Sequence, residues 1–284
     1  MMFEKFEFEG EESGVNLLVL GAVHGNEVAG KIALERLIKE INEKRIVIKK
    51  GKLTVVPVCN VEANRRDVRQ VDENLNRVMK KWENPTTYEK KIANKLCELI
   101  EDCDIMLDLH STHCKGDEPF VFCDYPKEMN LKLIDVIDVK YVLEGWPQIY
   151  DGQSEIEDFS TEKACFCYGK SGTTLECGYH KEEKAGEVAY NAVINALRVF
   201  GIVGEEKTKS IEKTHILMKS FVIKNREGKL LKNYKHLDRV YKGEEVARYD
   251  DGEVLKIEED GYILLPNLVA EVGAEWYYFG VDKL

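Results

Sequence analysis

Over the first two hundred residues, short runs of aliphatic and β-branched residues alternate with longer amphipathic segments. Residues 16–22 and 53–58 have the composition of buried strands, and residues 27–44 between them carry apolar side chains at helical spacing. The same pattern recurs with a helical segment at 86–101 and a strand at 105–110. This alternation predicts an α/β fold in which a mainly parallel or mixed sheet is flanked by helices.

The composition changes in the last quarter of the chain. Residues 202–214 are polar and almost free of large apolar side chains, which is typical of a linker. Residues 215–284 contain short alternating runs separated by turn signals such as KGEE and DDGE, a pattern that predicts β-strands. We therefore expect a larger first domain over residues 1–205 and a small all-β domain over residues 206–284.

Charge and cysteine content restrict the class of protein. The formal net charge is −11, from 41 Lys and Arg against 52 Asp and Glu, and this predicts that the chain has no nucleic-acid partner. The N-terminal MMFEKFEFEGEES is acidic and the apolar run NLLVLGAV is too short to span a bilayer, so we expect no membrane association and a cytoplasmic location. The eight cysteines are scattered and form no CxxC pair, which predicts reduced, mostly buried thiols.

The motif GAVHGNE, residues 21–27, ends the first buried strand and places His24 and Glu27 three residues apart. If a helix begins there, the imidazole and the carboxylate can converge on one point, and both are zinc ligands. The motif also fits a histidine in a glycine turn, followed by a glutamate that caps a helix. The pair alone leaves both interpretations open.

A second strand end, LDLHST at residues 107–112, supplies a candidate third ligand in His110. Metal sites in α/β proteins collect at the carboxyl ends of strands. Asp108 is placed to orient a ligand imidazole through its other nitrogen. His113 competes for the role, but the strand alternation continues through His110, whereas His113 precedes a polar turn. A hydrogen-bonded core histidine is the alternative.

Two further segments carry groups suited to catalysis. Residues 61–77 are rich in Arg and Asn, and guanidinium groups could bind a carboxylate or polarise a carbonyl, although a solvated charged loop is the alternative. Glu176 ends a strand in TTLECG, residues 173–178. Its apolar neighbours should raise its pKa, which suits a general base, and a structural ion pair with an arginine is the alternative.

Taken in order, the motifs GAVHGNE, RQVDENLNR, DLHST and TTLECG resemble those of the succinylglutamate desuccinylase and aspartoacylase family, within the carboxypeptidase A-like zinc hydrolases. They span residues 21–178, and the strand-rich tail resembles the family's small C-terminal β domain. The resemblance implies a carboxypeptidase-like mixed sheet and one Zn²⁺ per chain. It also implies zinc-dependent hydrolysis of the amide bond of a small-molecule N-acyl amino acid.

The resemblance further implies roles for individual residues. Three of them match the family's zinc ligands: His24, Glu27 and His110. Glu176 matches the general base, and Arg69 stands where the family has an arginine that polarises the scissile carbonyl. Asn76 and Arg77 match the pair that holds the carboxylate of the amino-acid part.

One departure concerns substrate choice. In aspartoacylases an arginine shortly before the catalytic glutamate helps to recognise an acidic side chain, but Phe166 stands at that spacing here. Lys163 and Lys170 are the nearby cationic residues, and neither has the bidentate geometry of arginine. The resemblance therefore does not extend to the arginine that would support an N-acetylaspartate or succinylglutamate substrate.

Two other functions fit the same residues. A metallocarboxypeptidase acting on a small peptide would use the same ligands, base and carboxylate clamp. In the family that the chain resembles, however, the β domain narrows access to the site, and this favours the deacylase. Tyr262, Tyr277 and Tyr278 could reach over the pocket from that domain, or could simply belong to a strand core. A catalytically silent binding protein is the third interpretation, and the intact set of ligands and base argues against it. A homo-oligomer is compatible with all three.

Overall fold

The computed structural model describes residues 2–150, 159–204, 208 and 210–283. The strands are β1 (Phe6–Glu9), β2 (Glu12–Gly21), β3 (Lys50–Val56), β4 (Ile105–Thr112), β5 (Phe120–Phe122), β6 (Tyr141–Glu144), β7 (Ser171–Tyr179), β8 (Thr214–Ile223), β9 (Gly228–Leu230), β10 (Asp238–Val240), β11 (Glu245–Tyr249), β12 (Val254–Lys256), β13 (Gly261–Leu264) and β14 (Glu275–Asp282). The helices are α1 (Ala29–Asn42), α2 (Val61–Arg65), α3 (Tyr88–Asp102), α4 (Glu128–Val136), α5 (Trp146–Tyr150), α6 (Thr161–Cys167) and α7 (Glu183–Val199). A short 3₁₀ helix covers Leu75–Arg77.

The central sheet runs in the order β1-β3-β2-β4-β7-β5-β6-β8-β14-β13-β10 across the described residues. Strands β3, β2, β4 and β7 pair in parallel, whereas β1 pairs antiparallel with β3 and β5 antiparallel with β7. The predicted α/β fold with a mixed sheet is therefore confirmed. Because neighbouring parallel strands end at the same edge of a sheet, the polar residues at or just after the ends of β2, β4 and β7 meet there.

Helices cover both faces of the central parallel strands. Along β2, Leu17 and Val19 belong to the core that contains residues of α1 and α7, whereas Leu18 and Leu20 belong to the core on the α3 side. Successive side chains of a strand point to opposite faces, so a strand that is buried on both faces has an almost continuous apolar sequence. Burial on both faces therefore explains the apolar run at residues 16–22 from which β2 was predicted.

The C-terminal part, residues 214–282, contains strands and no helix among its described residues. It continues the central sheet, because β8 pairs in parallel with β6 and antiparallel with β14. Strands β12, β11 and β9 form a separate three-stranded sheet. The predicted boundary between residues 205 and 206 lies outside the described residues. The division into two domains stays a prediction.

Two general features of the described chain bear on the expectations from composition. None of its described helices is long and apolar enough to cross a bilayer. All eight cysteines are free, and six of them are buried. The six buried thiols therefore behave as small apolar side chains of the core.

Candidate active site

His24 and Glu27 lie in the turn between β2 and α1. The helix begins only at Ala29, so both side chains precede it rather than lying on its first turn. Glycine at position 25 is required here, because a Cβ atom would lie 2.3 Å from backbone atoms of Ala63 and Asn64. The close approach of α2 therefore fixes the turn that carries the two side chains.

His110 reaches the same point from the end of β4. Its Nδ1 lies 3.1 Å from Nδ1 of His24 and 2.9 Å from Oε2 of Glu27, and Nδ1 of His24 lies 2.8 Å from Oε1 of Glu27. All three residues are buried, and they are a group among the described residues that could hold a metal ion. The structure thus brings together the three residues predicted as metal ligands.

The outer nitrogen of each imidazole has a protein acceptor. Nε2 of His110 donates to Oδ2 of Asp108 at 2.8 Å, and Nε2 of His24 donates to Oδ1 of Asn74 at 2.9 Å. Such partners fix the tautomer that leaves Nδ1 free to bind a metal. Asp108 has the orienting position expected from the sequence. The corresponding role of Asn74 was not predicted, although this residue lies in the segment that is rich in Arg and Asn.

The group fits zinc in ligand type and in spacing. Two imidazole nitrogens and a carboxylate are the protein ligands of many catalytic zinc sites, which leave a fourth position open. Bonds of about 2.1 Å at tetrahedral angles hold ligand atoms about 3.4 Å apart. The two imidazole nitrogens here lie 3.1 Å apart, and each lies 2.8 to 2.9 Å from a different oxygen of Glu27, so a small outward movement of the side chains would accommodate the ion.

The electrostatic field at the group favours a cation. Burial lowers the pKa of His24 to about 4, so this imidazole is neutral, as a ligand must be. Burial also disfavours a charged His110, but the carboxylates of Asp108 and Glu27 outweigh it and raise the pKa of His110 well above its usual value. A field that stabilises a positive charge on an imidazole would also stabilise a divalent ion.

Glu176 lies at the end of β7, where its backbone pairs with that of His110. Burial raises the pKa of Glu176 to about 8, the direction expected from its apolar neighbours. Its Oε2 is buried and has no hydrogen-bond partner among the described residues. The sequence also allowed Glu176 to form a structural ion pair with an arginine. Its Oε2 makes no such contact among the described residues.

Arg69 contacts the candidate ligand group directly. Its Nη1 donates to Oε1 of Glu27 at 2.8 Å, while its side chain stays 47% exposed. Its backbone oxygen accepts a hydrogen bond from the amide of Gly25 at 3.0 Å, so the loop that carries it packs on the turn after β2. The guanidinium thus lies beside the candidate metal position, with part of its surface open to the pocket.

Asn76 and Arg77 lie in the 3₁₀ helix, further along the same pocket. Oδ1 of Asn76 accepts a hydrogen bond from the amide of Thr161 at 2.9 Å, which leaves its NH₂ group as the donor for a ligand. The guanidinium of Arg77 lies 5.0 Å from the ring centroid of Trp146. This cation–π contact helps to hold the guanidinium in place.

All seven predicted residues line one pocket of about 570 Å³. His113 also lines it but is exposed and stands outside the metal-ligand group.

Phe166 lies outside the lining, where it stacks on Tyr125 with ring centroids 4.6 Å apart. Lys163 and Lys170 are outside it too, as are Tyr262 and Tyr277, whereas Tyr278 is part of it. No sequence pattern indicated a further lining residue, Glu162 on α6.

Comparison with known proteins identifies the family. The family model for the succinylglutamate desuccinylase/aspartoacylase catalytic domain matches residues 13–179, which is 167 of 284 residues and more than half of the chain. The chain belongs to this family. Its members are hydrolases, so the family assignment made from the four motifs is confirmed at that level. No curated protein matches the chain.

Solved structures share the fold over almost the whole chain. A succinylglutamate desuccinylase/aspartoacylase from Rhodobacter sphaeroides has a TM-score of 0.80 at 17% identity, over 99% of this chain and 89% of the other. The product-bound ectoine utilization protein EutE (DoeB) from Ruegeria pomeroyi has a TM-score of 0.78 at 22% identity, over 98% and 88%. The succinylglutamate desuccinylase from Vibrio parahaemolyticus has a TM-score of 0.75 at 16% identity, over 98% and 86%. At these identities the likeness is one of fold.

Proposed function

We propose that this family member is a zinc-dependent amidohydrolase that cleaves the amide bond of an N-acyl amino acid. The observation that carries the proposal is the buried group of His24, Glu27 and His110, which opens into the same pocket as Arg69 and Glu176. A zinc ion held by the three ligands would polarise the scissile carbonyl and lower the pKa of a water molecule. The residues around the ion would transfer the proton, stabilise the oxyanion and bind the substrate.

Glu176 is suited to move the proton. Its buried carboxyl group has a raised pKa and an oxygen without a partner among the described residues, so it can accept a proton from the attacking water. The water oxygen bonds to the carbonyl carbon, and the C–N bond breaks when the same proton is delivered to the leaving amine. The products are a carboxylic acid and a free amino acid.

Arg69 is suited to stabilise the oxyanion that forms during this attack. A guanidinium donor placed beside the reaction centre supplies fixed positive charge where negative charge develops, which lowers the barrier. Because Nη1 already donates to Glu27, the other N–H groups of Arg69 are the ones that would meet the carbonyl oxygen. Asn76 and Arg77 would hold the carboxylate of the amino-acid part.

The pocket favours a small substrate over a peptide. Leu265 and Pro266, from the loop between β13 and β14, line the pocket together with Tyr278 of β14. The C-terminal segment thus forms one wall of a pocket of about 570 Å³, and it restricts the space available to a chain that continues beyond the scissile bond. This supports a deacylase over a metallocarboxypeptidase.

Elemental analysis combined with an activity panel tests the proposal. We expect about one zinc per chain in the purified protein and a sharp loss of zinc in His110→Ala. We also expect release of free amine from some members of a panel of N-acetyl, N-formyl and N-succinyl amino acids. Hydrolysis of C-terminal residues from dipeptides without deacylation would favour the carboxypeptidase, and absence of zinc from both proteins would contradict the mechanism.

A further inference from the structure

Helix α6 places Glu162 at the end of the pocket that would receive the amino-acid part of the substrate. The amide of Thr161, its neighbour, donates to Oδ1 of Asn76 in the proposed carboxylate clamp at 2.9 Å. Oε1 of Glu162 accepts a hydrogen bond from the amide of Thr174 at 2.7 Å. Thr174 lies two residues before Glu176 on β7, and both side chains line the pocket. Glu162 is therefore a neighbour of both the clamp and the proposed base.

The carboxylate of Glu162 is only partly satisfied by the protein. The residue is 4% exposed, and no hydrogen bond of ordinary geometry reaches its Oε2 within the described part of the chain, although the backbone of Asp124 lies near the carboxylate. Burial raises the pKa of Glu162 to about 7. A buried carboxylate oxygen without a donor is costly, and a cationic group of a ligand would remove that cost.

The charges around Glu162 point to the same kind of ligand. Asp124 and Glu275 also line the pocket, and the described lining contains no lysine. Under the proposed function its two arginines, Arg69 and Arg77, meet the scissile carbonyl and the substrate carboxylate, so neither is assigned to the side chain of the amino-acid part. An acidic side chain in this part of the pocket would meet like charge, whereas a cationic one would meet opposite charge.

We propose that the amino-acid part of the substrate carries a positively charged group, an ammonium or guanidinium, that binds Glu162. The inference rests on the proposed deacylase function, because that function sets the clamp at Asn76 and Arg77 and so directs the substrate's side chain towards α6. An ammonium at Oε2 would complete the hydrogen bonding of the carboxylate with a charge-assisted bond. Glu162 would then determine specificity and take no part in proton transfer.

Matched substrate pairs on the zinc-loaded protein test the inference. N-acetyl derivatives of lysine and ornithine differ from those of norleucine and norvaline by a terminal ammonium in place of a methyl group. We expect kcat/KM to be about tenfold or more higher for the cationic member of each pair, since a hydrogen bond to a charged group has about that effect. N-acetylaspartate should be the poorest substrate. Equal or lower values for the cationic members would overturn the inference and leave the deacylase standing.

The variant Glu162→Gln separates recognition from a purely structural role. Glutamine keeps an oxygen that can accept the amide hydrogen of Thr174, so the contact between α6 and β7 is preserved. We expect the lysine to norleucine ratio of kcat/KM to fall to about one, mainly through KM for the lysine derivative. Glu144→Gln, the same change in a glutamate outside the pocket lining, should leave the ratio unaltered. An unchanged ratio in Glu162→Gln contradicts the assignment.

Binding of free amino acids distinguishes failure of this inference from failure of the deacylase. Calorimetry of lysine and norleucine with the zinc-loaded protein needs no turnover. Tighter binding of lysine, lost in Glu162→Gln, would support the cationic site even if no N-acyl amino acid is hydrolysed. If the protein shows no activity and binds lysine and norleucine equally, or binds neither detectably, the cationic site is overturned. If Glu162→Gln does not fold, the ratio in the wild-type protein decides.

Discussion

At the scale of single residues, the candidate metal site depends on a side chain that does not face the ion. Asp108 is fully buried, and its Oδ2 accepts hydrogen bonds from Nε2 of His110 at 2.8 Å and from the hydroxyl of Thr161 at 2.7 Å. Its negative charge makes the imidazole a stronger ligand. The affinity of the site for a metal ion therefore depends partly on residues that contact the ligands and not the ion.

Replacing Asp108 tests this dependence. We expect Asp108→Asn to weaken zinc binding about 10- to 100-fold, because the shape of the side chain is kept while its charge is lost. Competition with a chromophoric chelator measures the zinc Kd. Asp102→Asn, on the exposed end of α3, is the control and should keep the wild-type Kd. Equal affinities in the two variants would show that the contact with His110 does not tune the site.

The proposed base makes a second prediction at this scale. Glu176→Gln keeps the size of the side chain but removes its ability to accept a proton, so we expect kcat to fall by about 10²–10⁴-fold. Zinc content should stay near the wild-type value, because Glu176 is not one of the three candidate ligands. Steady-state kinetics with elemental analysis on the same sample measures both. Activity within a few fold of wild type would assign the proton transfer to another group.

At the scale of elements, the turn after β2 is held in place by its contact with α2. A Cβ atom at position 25 would lie 2.3 Å from the backbone of Ala63 and Asn64, and backbone atoms cannot rotate away as a flexible side chain can. We expect Gly25→Ala to lower the free energy of unfolding by about 1–3 kcal/mol, and to weaken zinc binding as His24 and Glu27 move. Urea unfolding and the zinc Kd measure the two effects.

A second glycine provides the control for that experiment. A Cβ atom at Gly186, in α7, would lie 3.4 Å from the side chain of Ile32, which is ordinary contact. Because alanine favours a helix more than glycine does, Gly186→Ala should leave stability unchanged or raise it by up to about 1 kcal/mol. Similar losses in both variants would mean that the clash at position 25 is relieved without moving the turn.

The elements also show what could be predicted from the sequence. Strands β2, β4 and β7 are buried on both faces. The polar residues at or just after their ends, His24, His110 and Glu176, can therefore be recognised from the sequence. Helix α6 has only seven residues, too few for a clear apolar period, so the approach of Glu162 to the pocket was not predictable. The pairing of β8 with β6 depends on residues far apart in sequence, which strand patterns do not specify.

At the scale of the whole molecule, the C-terminal strands and the catalytic part share a core and a pocket wall. His236 follows β9, and its Nδ1 accepts a hydrogen bond from the amide of Leu265 at 3.1 Å. Its ring lies 4.2 Å, centroid to centroid, from the ring of Phe120 on β5. Since Leu265 lines the pocket, the packing of His236 against β5 helps to position that wall.

This buried histidine should make the stability of the whole chain depend on pH. Burial lowers the pKa of His236 to about 3, whereas the unfolded chain has a value of about 6.5. The unfolded state therefore binds more protons between these values, and stability is lost as the pH falls below about 6.5. We expect the advantage of wild type over His236→Gln, in free energy of unfolding by urea, to shrink by about 2 kcal/mol between pH 7 and pH 5. Parallel pH profiles for the two proteins would mean that His236 has the same pKa in the folded and the unfolded chain, so that its burial does not make stability depend on pH.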